Sequence, residues 1–384
     1  VLTGWIPAQK KKVGIDMKKY AEDDLVNWNI VTPESVGIPS ESVLGFIDEL
    51  EQEDLCMHGF ILLKGGKVFA EGYYAPFDAD FPHRMYSVGK SFTSVAIGIL
   101  QEEGKLSLDD RICDYFPDKL PPEGVHPYIR ETTIKDMLCM ASPHKFTTYK
   151  QMSCEDWVRT FFAVHPVRYP GTSFAYDTSS THVLSALVER LSGMSLLDYL
   201  RCSLLNELGC SENIKWLTCP LGICQGGSGL ICTLRDVAKV AYTCMHNGRF
   251  RGKQLIPEKF ITEATAKQID TCLQPAVEER QGYGYQFWRC RNNGFALYGI
   301  GGQLAICLPD HDFILATEGD TTANPNGVQA IYQALWHQLL PFLHGKENKP
   351  LMEAPVMAER LRDKITRLAV KPEKDLSLVH FPSS

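Results

Sequence analysis

Residues 86–104 read YSVGKSFTSVAIGILQEEG. Val88, Phe92, Val95, Ala96, Ile99 and Leu100 recur at helical spacing, which predicts a helix from about 87 to 103 ended by Gly104. The other face carries Ser87, Ser91, Ser94 and Gly98, small enough for a neighbouring element to approach closely. Between 87 and 100 the only charged residue is Lys90. A helix with no charged face is packed on all sides, so this one is expected at the centre of the molecule, with Lys90 stripped of much of its water.

Desolvation disfavours an ammonium and lowers a lysine from its reference of about 10.4 toward neutrality, where the free amine can accept a proton. Ser87 lies three residues before Lys90, on the same helical face and one turn away. It also stands at the helix N-terminus, where backbone N–H groups and the helix dipole favour developing negative charge. A nucleophile, a base and an oxyanion donor are thereby juxtaposed. The plainer alternative makes Ser87 an N-cap and Lys90 a snorkelling surface side chain. Ser-x-x-Lys alone is a weak motif, and a second copy occurs at Ser142-Pro-His-Lys145; its Pro143 and its lack of a periodic apolar run mark it as a loop.

Around this helix the chain divides by pattern. Residues 39–52 predict an amphipathic helix, and 59–74 two strands joined at Lys64-Gly65-Gly66-Lys67. From 105 to 210 the pattern is mainly helical with long polar connections, including Pro121-Pro122 and Pro170-Gly171; one helix is predicted over 181–192. Another runs over 234–246, opened by the capping-box pattern Thr233-x-x-Asp236. Residues 283–290, 295–308 and 312–319 alternate as strands with a turn at Asp310-His311, and a last helix covers 326–343. Residues 1–16 and 346–384 carry little pattern. Strands at both ends and helices between them predict an α+β protein: an antiparallel sheet flanked by helices, with a mainly helical insertion. The expected division is 17–104 with 211–345 as a discontinuous α/β lobe, 105–210 as a helical lobe, and 346–384 as a C-terminal extension. A cleft between the lobes is the default site.

The 384 residues carry a net charge of −7, which disfavours nucleic acid as a partner. The longest basic run, Lys10-Lys11-Lys12, reads as a solvated tail. No apolar run reaches transmembrane length, so no membrane partner is expected. Thirteen Cys are scattered without a CxxC pair or a Cys/His zinc spacing; they fit small core residues in a reducing, cytoplasmic compartment. The chain opens on Val1, and Met17 is a candidate natural start. Gly226-Gly-Ser-Gly-Leu230 fails the α/β-hydrolase elbow at its last position, and Gly299-Ile-Gly-Gly-Gln-Leu304 fails the dinucleotide fingerprint likewise. Eleven His are dispersed, and His83, four residues before Ser87, is the one to test for a place in the cleft. Tyr283, Tyr285, Phe287 and Trp288 alternate partially and read as core, with Tyr283 or Tyr285 as candidate pocket residues.

On these residues the chain resembles the serine hydrolases related to class C β-lactamases, a family that includes D-alanyl-D-alanine carboxypeptidases, certain esterases and nylon-oligomer hydrolases. The resemblance spans about 33–343. Ser87-Val-Gly-Lys90 matches the first motif. Gly104–Asp110, the TIKDMLCMAS stretch at 133–142, Gly226–Gly229, Asp236 and Asn247-Gly248 fit the family's order. The resemblance implies a β-lactamase/transpeptidase-like fold. The second motif, Tyr-x-Asn, reads Tyr176-Asp177-Thr178, so its Tyr is kept and its Asn is not. By resemblance Tyr176 moves protons between Ser87 and the leaving group, and a nearby cation is expected to favour its phenolate. The third motif, Lys-Thr-Gly, is replaced by Leu297-Tyr298-Gly299, followed by Ile300-Gly301. The N–H groups of Ser87 and Ile300 are then the implied oxyanion hole. Gly299, Gly301, Tyr86 and Asp177 are the implied substrate-binding residues. The lost lysine argues against a β-lactamase or peptidoglycan peptidase and for the esterase and amidase branches. The expected partner is a small-molecule ester or amide, with no cofactor and no metal; the sequence is silent on oligomeric state. A β-lactamase or D,D-peptidase with a substitute cation, and a non-catalytic binding or sensor protein on the same fold, remain as alternatives.

Overall fold

The structure is a computed structural model in which residues 28–370 are described. The whole of the patternless stretch 1–16 with Lys10-Lys11-Lys12, Met17, and the last part of the stretch 346–384 lie outside those residues. In chain order come helix α1 (Ser40–Gln52), strands β1 (Met57–Lys64), β2 (Lys67–Tyr73) and β3 (His83–Arg84), then helices α2 (Val88–Glu102), α3 (Trp157–Ala163) and α4 (Thr178–Ser192). Strands β4 (Lys215–Trp216) and β5 (Leu230–Cys232) lead to helices α5 (Leu234–Met245) and α6 (Glu258–Thr265). Strands β6 (Trp288–Cys290), β7 (Gly294–Gly299), β8 (Gln303–Leu308) and β9 (Phe313–Gly319) precede α7 (Gly327–Ala334) and α8 (Pro355–Thr366).

Six strands form one sheet in the order β2-β1-β9-β8-β7-β6. The expected α+β architecture holds: the sheet draws strands from both ends of the chain, and its named pairings are antiparallel. The central pairing joins β1 to β9, from Met57↔Gly319 to Lys64↔Phe313. Alternation divides the strands between two cores. Phe60, Leu62, Ile306 and Leu315 pack with Phe46, Ile47 and Leu50 of α1 and with Ile331 of α7. Ile61, Leu63, Ala305 and Ile314 face the other way, onto Val88, Phe92 and Val95 of α2.

Helix α2 is buried from Val88 to Leu100 and shares one core with the sheet and with Phe161, Leu184 and Leu187 of the helical region. The helical insertion therefore has no separate core at this seam. Burying the large apolar side chains of α2 contributes on the order of 10 kcal/mol before the entropy of ordering is subtracted. The small face does what its composition foretold. A Cβ on Gly98 would fall 2.3 Å from the Phe260 ring of α6. Ser91 and Ser94 donate to the carbonyls of Gln286 and Tyr285 at 2.7 Å each.

Three expectations change. The alternating stretch 283–290 is a strand only over Trp288–Cys290; Gln286 turns the backbone left-handed (φ 65°), and Tyr283 and Tyr285 are core rather than pocket. The run 295–308 is two strands, folded back at Ile300-Gly301-Gly302, where Gly301 and Gly302 have φ of 80° and 90°. Within 346–384, residues 355–366 form α8: Ala358 and Leu361 are buried, and Lys364 is 2.8 Å from both Asp48 and Glu51 of α1. Ala358, Leu361 and Ile365 do recur at helical spacing, but the stripe is short and lies in a strongly charged stretch, and the sequence reading passes over it. All thirteen Cys are free and most are buried, as expected of core residues. Among the described residues no helix is long and apolar enough to cross a membrane, and no His/Cys/Asp/Glu group could hold a metal ion.

Candidate functional site

Ser87 occupies the N-cap position of α2, yet its side chain caps nothing. The turn before it meets that need, since the N–H groups of Val88, Gly89 and Lys90 donate to Met85, Tyr86 and Ser87. Tyr86 holds a left-handed backbone (φ 45°), a conformation that costs a non-glycine residue on the order of 1 kcal/mol or more and sets the direction in which Ser87 leaves the turn. The freed hydroxyl lies 2.9 Å from Lys90 Nζ. Lys90 is 1% exposed, and Nζ also donates to the Gly227 carbonyl at 2.7 Å. Burial lowers this amine to about 7, only partly opposed by the charge of Asp177.

The Gly227 carbonyl arrives because residues 226–227 thread between α2 and α4. A Cβ on Gly226 would fall 2.7 Å from Ser185 Cβ, and one on Gly227 would fall 2.6 Å from Thr178 Cγ2 and 3.2 Å from Lys90 Nζ. Thr93 fastens the segment by donating to Gly226 at 3.0 Å. The sequence placed Gly226–Gly229 in the family's order but gave no sign of the bond from Lys90 to the Gly227 carbonyl, which spans 137 positions.

Tyr176 stands beside the pair. Lys90 Nζ is 4.8 Å from its ring centroid, and Trp288 stacks on the ring at 5.7 Å and 22°. Phe174 and Tyr298 complete an aromatic wall based on Met140, Tyr283 and Trp288. Burial raises the Tyr176 phenol above its ordinary range, and contacts with the Ser87 hydroxyl and the Trp288 indole offset this only in part. The phenolate expectation is thus corrected: the aromatic surroundings keep the proton on oxygen, and the cation over the ring lies against its face.

The third wall is the β7–β8 hairpin. A Cβ on Gly299 would fall 2.5 Å from the Met85 carbonyl, so the end of β7 packs against the turn that carries Tyr86 and Ser87. Ile300, 57% exposed, opens the hairpin loop. Gln303 pins that loop, donating to the Ile300 carbonyl at 2.7 Å and exchanging bonds of 2.9 Å with the backbone of Gly319. Gly301 accepts from Thr321 N–H at 3.1 Å. Among the described residues, neither the Ser87 N–H nor the Ile300 N–H is given to a protein acceptor. Leu297 is fully buried in the core shared with α2.

Asp177 is not a substrate-binding residue. It is fully buried at the N-cap of α4, where it accepts from Ser179 N–H at 2.9 Å and from the hydroxyls of Ser142 (3.1 Å), Ser180 (2.8 Å) and Ser179. Four donors saturate the carboxylate, and it builds the scaffold. Ser142 is spent on that bond, while Lys145 lies over the Phe146 ring, so the second Ser-x-x-Lys does not converge. His83 lies between the sheet and the Ser87 turn, with Nε2 2.7 Å from His58 Nδ1. Burial lowers both imidazoles, His58 to about 4, which makes them a neutral structural pair near pH 7.

Comparisons with known proteins bear on the fold that carries this arrangement. The family model described as Beta-lactamase matches residues 58–317. A 6-aminohexanoate-dimer hydrolase of Paenarthrobacter ureafaciens is 23% identical over 291 residues, covering 70% of this chain and 74% of that protein. EstCE1, a hydrolase with promiscuous acyltransferase activity, superposes with a TM-score of 0.63 at 16% identity, over 79% of this chain and 98% of that one. A penicillin-binding protein homologue from Caulobacter crescentus gives a TM-score of 0.61 at 15% identity, over 78% and 98%. With the family model spanning well over half of its length, this chain belongs to the beta-lactamase family and carries the β-lactamase/transpeptidase-like fold.

Proposed function

We propose that this protein is a serine hydrolase that acts on an ester or amide through an acyl-enzyme. The observation that carries the reading is the 2.9 Å contact between the Ser87 hydroxyl and a buried Lys90 amine brought down to about 7. Near neutral pH a large share of that amine is free, and the serine hydroxyl then donates to its lone pair.

As Lys90 takes the proton, Ser87 Oγ bonds to the substrate carbonyl carbon. The carbonyl π pair moves onto oxygen, facing the N–H groups of Ser87 and Ile300. Collapse breaks the bond to the leaving alcohol or amine, which receives a proton from the protonated Tyr176 phenol; Tyr176 is recharged from Lys90. Water then attacks the acyl carbon, gives its proton to Lys90, and Ser87 is released with its hydroxyl restored. Leu297 at the third-motif position supplies no cation for a substrate carboxylate, which supports the ester and amide branches over lactams and peptidoglycan. The hydrolase assignments of two of the proteins it resembles support the same reaction class. The intact set Ser87, Lys90 and Tyr176 speaks against a purely non-catalytic binding protein.

The test is a panel of short-chain nitrophenyl esters, amides and a chromogenic cephalosporin, with wild type and Ser87→Ala, together with labelling by an aryl phosphonate. Esters are expected to turn over, the phosphonate to add mass at Ser87, and Ser87→Ala to lose roughly 10⁴-fold in rate or more. An unlabelled Ser87, or a variant as active as wild type, refutes the reading.

A further inference from the structure

We infer that Glu279, with the outer surfaces of Phe174, Tyr176 and Tyr298, makes the leaving-group side of this site selective for substrates carrying a positive charge. The inference rests on the serine-hydrolase reading above and adds the substrate class.

The argument begins at β7. From Gly294 to Leu308 the chain contains no Lys or Arg, and Leu297 is turned into the core. The next residue, Tyr298, is half-buried and donates its hydroxyl to Glu279 Oε1 at 2.7 Å. Glu279 is itself half-buried, and its charge acts on both Tyr298 and Tyr176. Where a carboxylate-binding site would need a cation, this strand presents an anion held by a tyrosine.

The remaining surface is aromatic. Trp288 and Tyr283 are buried at the base, while Phe174, Tyr176 and Tyr298 keep part of their surface open. Trp288 joins the group, with ring centroids 5.3 Å from Phe174, 5.7 Å from Tyr176 and 5.8 Å from Tyr298. Ring surfaces flanked by one carboxylate are a good environment for an ammonium, because the ring quadrupole and the fixed charge both attract it while its alkyl groups remain on an apolar wall. A carboxylate in the same place meets repulsion from Glu279. Arg84, three residues before Ser87, lies 4.7 Å over the Tyr86 ring with its Nε 3.4 Å from the Ser228 carbonyl. Glu279 acts on Tyr176, the proposed proton donor to the leaving group, so the favoured charge belongs on the leaving group rather than on the acyl part.

Three acetate esters of matched shape test this: the choline ester, its uncharged 3,3-dimethylbutyl isostere, and a carboxypropyl ester. The ratio of kcat/KM for the choline ester to that for the isostere is expected to be about tenfold in wild type, with the carboxypropyl ester about tenfold below the isostere at low ionic strength. Both ratios are expected to shrink with added salt, to fall in Glu279→Gln to the smaller preference the rings alone supply, and to invert in Glu279→Lys. Hydrolysis of the isostere with no charge preference, or a preference undiminished in Glu279→Gln, overturns this inference while leaving the serine-hydrolase reading intact. Failure to hydrolyse any of the three, with Ser87 unlabelled by the phosphonate, overturns both.

Discussion

The clearest quantitative consequence of the site is its pH profile. Bringing a lysine from 10.5 down to about 7 means that burial costs the ammonium form roughly 5 kcal/mol relative to water. With a midpoint at 7, about a tenth of the amine is free at pH 6 and about nine-tenths at pH 8, so kcat/KM for a neutral ester should rise close to tenfold across that interval and then level. A solvated lysine would be only a few parts in ten thousand free at pH 7, and its profile would still climb at pH 10. The assay is the initial rate of nitrophenyl ester hydrolysis at substrate concentrations well below KM, from pH 5 to 10 at constant ionic strength and corrected for spontaneous hydrolysis. Two other groups deserve separation from Lys90. His58, at about 4, titrates too low to supply this limb, and Glu318, at about 8, is removed by measuring the Glu318→Gln variant in parallel. Lys90→Arg, always charged, should abolish the limb together with the activity. A limb that keeps unit slope to pH 10, or one that persists in Lys90→Arg, refutes the proposal that a desolvated amine activates Ser87.

Two stability predictions accompany it. Glu318 is fully buried on β9, neither carboxyl oxygen has a hydrogen-bond partner, and burial raises it to about 8 from 4.5. The native state therefore holds a proton that the unfolded chain has released, so wild type should lose roughly 4–5 kcal/mol in urea unfolding as pH rises from 4.5 through 8, and Glu318→Gln should flatten that loss; a pH-independent wild type in this window would contradict it. Lys90 has the opposite sign in a higher window: its folded value lies below its unfolded one, so its contribution grows more favourable between about 7 and 10.5. Asp177→Ala strands one backbone N–H and three hydroxyls at the head of α4 and should cost about 2–4 kcal/mol of unfolding free energy, whereas Ser142→Ala, losing one of those bonds, should cost about 1 kcal/mol and keep most of the ester hydrolysis. A Ser142→Ala enzyme as dead as Ser87→Ala would mean the wrong serine has been assigned.

What the sequence revealed follows from where its information is local. Helix α2 was legible because an uninterrupted small-and-apolar segment with one lysine has few alternatives, and the Thr233–Asp236 capping box is present as spelled, with both reciprocal bonds formed. The hairpin at Lys64–Lys67 was legible for the same reason. The losses are non-local. Tyr176 was assigned a phenolate because its neighbour in the motif logic is a cation; its proton is kept by burial in a wall of which Tyr283, Trp288 and Tyr298 lie more than a hundred positions away. Asp177 looked like a ligand residue because its partners, three hydroxyls, give no charge signal. The aromatic alternation of 283–288 mimics a strand, since a ring cluster and a pleated surface both favour large side chains at short intervals. The Gly227 carbonyl, a ligand of the lysine, is backbone and so leaves no residue-type signature at all.

The pairing of β1 with β9 sets a timetable for the living protein. Ser87 and Lys90 are made well before the hairpin that faces them and the strand that closes the sheet, which come from residues 288–319, so a nascent chain on the ribosome exposes the unmatched edge of β1 until residues 313–319 have been made. Joining ends so distant in sequence is a slow step that leaves apolar strand surface open to other chains. Production of this protein should accordingly respond to growth temperature and chaperone supply, and activity should appear only after residues 288–319 have been made.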